Sequence, residues 1–416
     1  MGLYEALGVR PVINGVGPAT RLGGLPVSDA VWAAMRESMQ VSVRISVLQA
    51  AAGRRLAELL GVPACYVTSG AASALTLATA VAITGRDVAK IDALPNTAGM
   101  VNRVVVQRAQ RDPYDHALTA AGAELVEIGF PHTTHRNELE RVLDERTAAV
   151  LVRPGAPGNL LSLRTISEIA HAHGVPVIVD GALRVPPIDR LHQFFADGAD
   201  LVAVSGGKKF RAPQATGILC GRPDLIDAVP LHQQDMDERE ETWLSGAQAT
   251  SDDPWADTSP PRHGIGRSMK VGREQIVGLV TAVDRHINAP GVDDRIGLAE
   301  LDELHDRLTR AGHTVDRGVE ESLDVPTLHI DLSRTGVDLD DVIRALATGD
   351  PAVAVGEDLV WRGVLVVNPL ALLAGDAERF TVALGAALER AGVAPPTSAS
   401  AAHQPGASPP TERHPV

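Results

Sequence analysis

The chain has 416 residues and a formal net charge of −14, with 44% hydrophobic, 22% charged and only 3% aromatic residues. This length predicts two or three structural units with an aliphatic core. The acidic balance without clustered Lys and Arg excludes a nonspecific nucleic-acid or anionic-lipid binder. Because the sequence shows neither a secretory signal nor an apolar run typical of a membrane span, we expect a cytoplasmic protein with no nucleic-acid or membrane partner.

Short apolar runs without polar alternation recur through the first half of the chain, separated by stretches of helical periodicity. Such runs are typical of strands covered on both faces in a mostly parallel sheet with helices on each side. Capping boxes predict helix starts at Ser46 and Thr165. The two cysteines, Cys65 and Cys220, lie in such runs and are expected in the core of a protein from a reducing compartment. The predicted strand runs are 65–67, 104–106, 149–152, 177–179, 201–204 and 217–220.

These patterns divide the chain into four parts. We expect an N-terminal segment over 1–45, a large α/β domain over 46–287, a small α+β domain over 288–392 and a disordered tail over 393–416, which is rich in Pro, Ser and Ala. Within the large domain, the acidic stretch 234–262 has no periodicity, and we interpret it as a surface excursion or lid.

The small domain shows both strand and helix signals. Leu328, Ile330 and Leu332 alternate with polar residues, as on a half-buried strand. The stretches 338–348 and 376–391 have helical periodicity, and we expect them to pack on that strand.

An acid and a lysine follow two of the predicted strands. Asp180 ends the run 177–179, and Lys208 follows the next run through a Gly-Gly pair. Pyridoxal 5′-phosphate (PLP) requires such a pair, because the acid keeps the pyridine nitrogen protonated and the amine holds the aldehyde as a Schiff base. Separately, Asp180 is also explained by a turn cap and Lys208 by surface exposure. Their order along the chain favours the cofactor.

A turn rich in small residues precedes this pair. Ser69, Gly70 and Ala71 lie between a predicted strand and a predicted helix, where backbone N–H groups can bind a phosphate. A plain turn explains them equally well when they are considered alone. For stacking on a flat cofactor ring, His116 is the candidate and Tyr114 the alternative.

No metal site is predicted. His132 and His135 are three residues apart, but no third ligand of matching context lies nearby. We interpret both as surface residues.

Several short motifs lie in a fixed order along the chain, up to about residue 392. They are Arg10-Pro11-Val12-Ile13-Asn14-Gly15, Thr20-Arg21-Leu22-Gly23-Gly24, Thr68-Ser69-Gly70-Ala71, Val179-Asp180, and Ser205-Gly206-Gly207-Lys208 with Pro213-Gln214. This set resembles the selenocysteine-synthase-like family of fold-type-I PLP enzymes. Segments 265–272 and 349–351 resemble most the branch of D-glucosaminate-6-phosphate ammonia-lyase. The resemblance implies a seven-stranded, mostly parallel sheet and a homodimer or larger homo-oligomer with active sites at the subunit interface.

The resemblance also implies roles for individual residues. It assigns Ser69, Gly70 and Ala71 to the cofactor phosphate, and Asn14, Thr20 and Arg21 to the border of the substrate. With the residues already singled out, the full set that we expect to hold the cofactor is Ser69, Gly70, Ala71, His116, Asp180, Ser205 and Lys208. Arg267 or Lys270 would approach the phosphate or the substrate, although surface charge at a helix start explains both equally well.

One departure from the family leaves the contact to the substrate carboxylate open. In relatives, the Gly-Asp-Pro segment at 349–351 usually continues to an arginine, whereas this chain continues with Ala-Val-Ala-Val. Arg362, Arg153 or Arg21 could replace that arginine.

The sequence therefore predicts a PLP-dependent lyase that acts on a small, hydroxylated amino acid by α,β-elimination. Lys208 would remove the α-proton, and the products would be a 2-oxo acid and ammonia. β-Replacement, aminotransfer and aldol cleavage use the same carbanion and stay open, as does a noncatalytic PLP-fold binding protein. The acidic charge and the short N-terminal segment argue against tRNA as a substrate.

Overall fold

The computed structural model describes residues 2–233, 237, 262–292 and 295–393. Most of the predicted lid and the predicted disordered tail lie outside the described residues. The strands are β1 (Val12–Gly15), β2 (Ala64–Thr68), β3 (Arg103–Gln107), β4 (Glu124–Ile128), β5 (Thr147–Val152), β6 (Val177–Asp180), β7 (Leu201–Ser205), β8 (Gly217–Gly221), β9 (Thr314–Glu320), β10 (Val325–Asp331), β11 (Ala352–Val355) and β12 (Val364–Val367). The helices are α1 (Leu3–Ala6), α2 (Asp29–Ser38), α3 (Ile45–Leu60), α4 (Ala71–Thr84), α5 (Val88–Ala93), α6 (His116–Thr119), α7 (Arg136–Val142), α8 (Leu163–Ala172), α9 (Ile188–Ala196), α10 (Pro223–Ile226), α11 (Val229–Gln233), α12 (Arg273–Asn288), α13 (Arg295–Arg310), α14 (Leu339–Thr348) and α15 (Asp376–Arg390).

A seven-stranded sheet forms the centre of the large domain, in the order β2-β8-β7-β6-β5-β3-β4. β8 runs antiparallel to both of its neighbours, and the other neighbouring strands are parallel. The predicted mostly parallel α/β sheet is thus confirmed, and each of the six predicted strand runs lies within one of its strands. Because β2, β5, β6 and β7 point the same way, the loops that follow them meet at one edge of the sheet.

Helices cover both faces of this sheet. Val177 and Val179 of β6 face a core that includes residues of α3, α8 and α12, whereas Ile178 between them faces a core built around α4. All three side chains are fully buried. Each such burial stabilises the fold by roughly 1.5–3 kcal/mol, which explains why these strands are apolar on both faces.

The small domain is built on the antiparallel sheet β12-β10-β9. Leu328 and Ile330 of β10 are buried against helices α13, α14 and α15, which confirms the predicted half-buried strand and both predicted helices. β1 was not predicted. It pairs in parallel with β11, and Ile13 enters the core of the small domain.

Two helix starts differ from their predictions. α3 begins at Ile45 after Arg44, so Ser46 lies inside the helix and the predicted capping box is wrong. α8 begins after Ser162, whose hydroxyl accepts a hydrogen bond from the Thr165 backbone N–H at 3.2 Å. Thr165 is therefore the capped residue and not the cap.

Cys65 and Cys220 are buried neighbours on the paired strands β2 and β8, with their Sγ atoms 3.4 Å apart. Both are free thiols, and burial together with the contact to Cys220 raises the pKa of Cys65. The predicted core position of both cysteines is confirmed, but their proximity could not be read from residues 155 positions apart. None of the helices in the described part of the chain has the length and apolarity that a bilayer span requires.

Candidate active site

A cavity of about 530 Å³ opens at the edge of the central sheet where β2, β5, β6 and β7 end. Asp180 from the end of β6 and Lys208 from the loop after β7 both line this cavity. Ser69, Gly70 and Ala71 line it as well, as does Ser205. The parallel strands therefore bring together the acid, the lysine and the small-residue turn that the sequence singled out.

Lys208 lies half-buried after two glycines. A Cβ atom on Gly206 would lie 2.3 Å from Thr216 Oγ1, and one on Gly207 would lie 2.7 Å from Gln214 Oε1, so only glycines allow this loop to pack against 213–216. Burial lowers the pKa of Lys208 below its usual value of 10.5, although nearby carboxylates, Asp180 first among them, partly oppose the shift. A lowered pKa increases the share of unprotonated amine, which both attachment to an aldehyde and proton abstraction require.

A chain of charged side chains holds Asp180 in place. Its Oδ1 accepts a hydrogen bond from the Ala182 backbone N–H at 3.2 Å, and its Oδ2 accepts one from Arg153 Nε at 3.3 Å. Arg153 Nη1 in turn donates to Asp115 Oδ1 at 2.5 Å, and Asp115 also pairs with Arg111. Burial raises the pKa of Asp115, but the hydrogen bonds from Arg111 and Arg153 outweigh it and hold that pKa below the usual 3.8. The network therefore fixes the orientation of Asp180.

Arg153 was predicted as a contact for the substrate carboxylate. The structure instead pairs its guanidinium with Asp115 and Asp180, so its charge is already neutralised by protein groups. Its Nη2 atom is buried and has no hydrogen-bond partner among the described residues. Such a donor at a cavity wall leaves room for a hydrogen bond to a bound group.

The turn before α4 fits a phosphate. Gly70 has φ +106 at the N-cap of this 14-residue helix, and a Cβ atom there would meet no atom within 4 Å. Gly217 of β8 lies so close behind the turn that its own Cβ would come within 2.5 Å of the Gly70 carbonyl carbon. Open space in front of a helix N-terminus suits the PLP phosphate, because the free N–H groups there attract an anion. Together with the Asp180 carboxylate, the Lys208 amine and the free Arg153 donor, the residues present fit PLP.

The predicted stacking residue is placed differently. His116 begins α6, is exposed and is not among the residues that line the cavity, so the structure gives no support to its predicted role as the ring-stacking catalytic residue. The alternative, Tyr114, does line the cavity and is 59% exposed, which leaves its ring face available to a ligand.

Of the N-terminal residues predicted to border the substrate, only Thr20 lines the cavity. Its hydroxyl accepts a hydrogen bond from Gln214 Nε2 at 3.1 Å. Asn14 instead closes its own turn, since it donates to the Gly17 carbonyl at 2.9 Å and accepts from the backbone N–H groups of Val16 and Gly17.

Four of the predicted substrate-binding cations lie outside the lining of this cavity: Arg21, Arg267, Lys270 and Arg362. The guanidinium of Arg362 stacks on the neighbouring Trp361 ring, 5.7 Å from its centroid. Arg184, which was not predicted as a site residue, also lines the cavity, from the turn after β6. Its place four positions beyond Asp180 was the only available signal, because residues after a parallel strand gather at the ligand edge of the sheet.

Comparison with known proteins agrees with this geometry. The family model of class-V aminotransferases matches residues 29–251, more than half of the chain. The chain belongs to the class-V aminotransferase family.

Relatives with known names narrow the comparison. D-glucosaminate-6-phosphate ammonia lyase of Salmonella typhimurium is 28% identical over 90% of this chain and 94% of its own. 5′-C-glycyluridine monooxygenase-decarboxylase of a Streptomyces species is 31% identical over 84% and 78%, respectively. L-seryl-tRNA(Sec) selenium transferase of Yersinia enterocolitica is 27% identical over 54% and 52%. A solved structure of D-glucosaminate-6-phosphate ammonia-lyase superposes with a TM-score of 0.78 at 26% identity, over 94% of this chain and 99% of that one.

These findings confirm the predicted resemblance, the fold-type-I architecture and PLP as the cofactor. The prediction of an enzyme of the lyase type is confirmed as well, and a noncatalytic PLP-fold protein is not favoured.

Proposed function

We propose that this protein is a PLP-dependent ammonia-lyase for hydroxylated amino acids of the sugar-acid type, with D-glucosaminate 6-phosphate as the first substrate to test. The observation that carries the proposal is the convergence of Lys208, Asp180 and the Ser69–Gly70–Ala71 turn on one cavity. The likeness to the ammonia lyase over 94% of that enzyme's length supports the choice of substrate.

Bound PLP supplies an electron sink that stabilises the carbanion formed at the α-carbon. Asp180 holds the proton on the pyridine nitrogen, and Arg153 keeps the Asp180 carboxylate in place. The backbone N–H groups of Ala71 and Ala72, at the start of α4, would hold the phosphate. Lys208, with its lowered pKa, accepts the α-proton.

The overall reaction balances as an elimination followed by hydrolysis. The α-proton goes to Lys208, and the β-hydroxyl leaves with a proton as water. Water then converts the resulting enamine to a 2-oxo acid and ammonia. No oxidant or reductant takes part, which separates this reaction from an oxidative one.

We further propose a homodimer with the active sites at its interface. Exposed apolar side chains along 39–47 support an interface there. Those side chains belong to Met39, Val41, Val43, Ile45 and Val47, which are 39–59% exposed. In such a dimer, Arg21, Arg267 or Lys270 could reach the partner's cavity. Analytical ultracentrifugation of the wild type and of Val43→Asp tests this, and a monomeric wild type would contradict it.

A cytoplasmic location and the division into 1–45, 46–287, 288–392 and 393–416 complete the proposal. The free thiols of Cys65 and Cys220 support a reducing compartment. Limited proteolysis tests the domain boundaries, because cleavage concentrates in exposed linkers.

The test of function measures ammonia and 2-oxo acid after the holoenzyme is mixed with D-glucosaminate 6-phosphate, D-glucosaminate, and D- and L-serine. We expect both products in equal amounts, their loss in Lys208→Ala and their retention in the control Lys209→Ala. Conversion of the cofactor to its pyridoxamine form would show aminotransfer instead. Oxygen uptake with release of CO₂ would show the oxidative chemistry that the name of the Streptomyces relative describes. Either result without ammonia release overturns the proposal.

A further inference from the structure

Of the residues that the structure describes, three arginines line the cavity, and two of them are neutralised within the protein. Arg111 pairs with Asp115 and Glu127, and Arg153 pairs with Asp115 and Asp180. Arg184 is different. Among the described residues its side chain bonds only to backbone carbonyls, with no carboxylate in ion-pair distance.

Backbone carbonyls of both domains hold the guanidinium of Arg184. Its Nε donates to the Pro154 carbonyl in the loop after β5 at 3.2 Å, and its Nη1 is 3.5 Å from the Glu321 carbonyl of the small domain. Gly155 has φ +94, and a Cβ atom there would lie 1.8 Å from Arg184 Nη2. The guanidinium therefore occupies the space that any side chain at position 155 would need.

Arg184 lies on the side of the site away from the phosphate cradle, which is the turn Ser69–Gly70–Ala71. The cradle follows β2, the first strand in the order of the sheet, whereas Arg184 lies in the loop after β6 and bonds to the loop after β5. β8 and β7 lie between β2 and β6. The cofactor phosphate at the cradle therefore does not account for an anion at Arg184.

Carbonyl dipoles compensate only part of the free-energy cost of removing the charged Arg184 guanidinium from water, because no anion pairs with it among the described residues. A bound carboxylate would complete it, since guanidinium and carboxylate form short, charge-assisted hydrogen bonds. The amino-acid substrate expected in this cavity carries such a group on the carbon whose proton Lys208 removes.

We propose that Arg184 binds the substrate carboxylate and so sets the requirement for an amino acid over a simple amine. The inference rests on the proposed function for the identity of the substrate. The segment after Gly349-Asp350-Pro351 lacks the arginine that relatives usually have there. Arg184, in the turn after β6, takes over the contact to the substrate carboxylate.

Binding of unreactive probes to the PLP-loaded holoenzyme tests this, measured by isothermal titration calorimetry. D-Gluconate and D-glycerate carry a carboxylate and no amine. D-Glucitol 6-phosphate carries only a phosphate. We expect Arg184→Gln to weaken binding of the two carboxylates by about 10- to 150-fold, as for a lost hydrogen bond to a charged group, and to leave D-glucitol 6-phosphate unchanged. Arg184→Lys should recover part of the loss, since the charge is kept and the two-pronged geometry is not.

The matched control is Arg310→Gln. It removes an exposed arginine whose side chain, within the described part of the chain, also bonds only to a backbone carbonyl, that of Asp306 at 3.1 Å. The visible absorption band of the bound cofactor and the thermal midpoint of each variant show whether the site is still formed. Equal weakening of all probes, selective weakening of D-glucitol 6-phosphate, or unchanged carboxylate binding in Arg184→Gln overturns the assignment. So does a wild-type holoenzyme that binds neither carboxylate.

The two proposals fail separately. Arg184-dependent carboxylate binding without ammonia release from any tested amino acid leaves the assignment of Arg184 standing and overturns the lyase. Ammonia release that survives in Arg184→Gln with an unchanged KM, together with unchanged probe binding, overturns the assignment and leaves the lyase standing.

Discussion

Replacing Arg153 by methionine removes the centre of the charged network behind Asp180. The side chains of Arg153, Asp115 and Asp180 are only 10–14% exposed, so their interactions are poorly screened by solvent. Methionine keeps much of the side-chain volume and removes every donor. Counting described residues only, the variant therefore leaves Asp180 with one hydrogen bond, from the Ala182 backbone N–H.

The expected cost follows from this geometry. Removing one partner of a buried ion pair lowers the free energy of unfolding by about 3–5 kcal/mol. Because Asp115 keeps Arg111, we expect the lower end of that range, about 3 kcal/mol, which for a chain of this length is a fall of roughly 3–4 °C in the thermal midpoint. The pKa of Asp115 is lowered in the folded state, so its contribution is present above the unfolded value of 3.8 and is lost as the pH falls below it. The difference in the free energy of unfolding between wild type and Arg153→Met should therefore become smaller below about pH 3.8.

Urea unfolding of the apoprotein measures this without interference from cofactor loss. The control is Arg164→Met, which breaks the exposed 2.6 Å pair with Asp197, where the arginine side chain is 61% exposed. We expect Arg164→Met to lower the free energy of unfolding by less than about 1 kcal/mol. A loss in Arg153→Met no larger than in the control would refute the view that this network holds Asp180 in place.

Three further predictions concern single side chains. In the apoprotein, Lys208→Met should have a higher free energy of unfolding than wild type at neutral pH. Because the pKa of Lys208 is lower in the folded than in the unfolded state, the charged amine disfavours folding, and the gap between the two proteins should shrink as the pH rises toward 10.5. Urea titrations at several pH values measure this, and free energies that do not converge would contradict it. Gly155→Ala should lower the free energy of unfolding by roughly 1–3 kcal/mol, because the backbone at this position has φ +94 and the new Cβ atom would lie 1.8 Å from Arg184 Nη2. An unchanged urea midpoint would count against this packing of the Arg184 guanidinium on Gly155. Tyr114→Ala should weaken PLP binding to the apoprotein while His116→Ala should not, because only Tyr114 lines the cavity, and cofactor titration followed by visible absorbance distinguishes the two.

The acid, the lysine and the strands that carry them could be predicted from the sequence. Strands buried on both faces leave continuous apolar runs, and the first polar residue after such a run lies at the ligand edge of a parallel sheet. Asp180 follows this rule directly. Lys208 follows it through a glycine pair whose need is explained by close contacts with Gln214 and Thr216.

Contacts between distant segments could not be predicted in this way. The direction of Arg184 depends on the carbonyls of Pro154 and Glu321, and the latter lies 137 positions away along the chain. His116 and Tyr114 differ by two positions, and only the local turn decides which one faces the cavity. The cap of α8 was misplaced because Ser162 and Thr165 both carry a hydroxyl and their roles differ only in backbone conformation.

The pairing of β1 with β11 joins Val12–Gly15 to Ala352–Val355. During translation β1 leaves the ribosome before β11, and it remains unpaired while more than three hundred further residues are translated. At synthesis rates of about 5–20 residues per second, that delay is roughly 20–70 s. During this time Ile13 lacks the small-domain core into which it packs, so the large domain can fold first, and β1 is among the last of the described strands to pair.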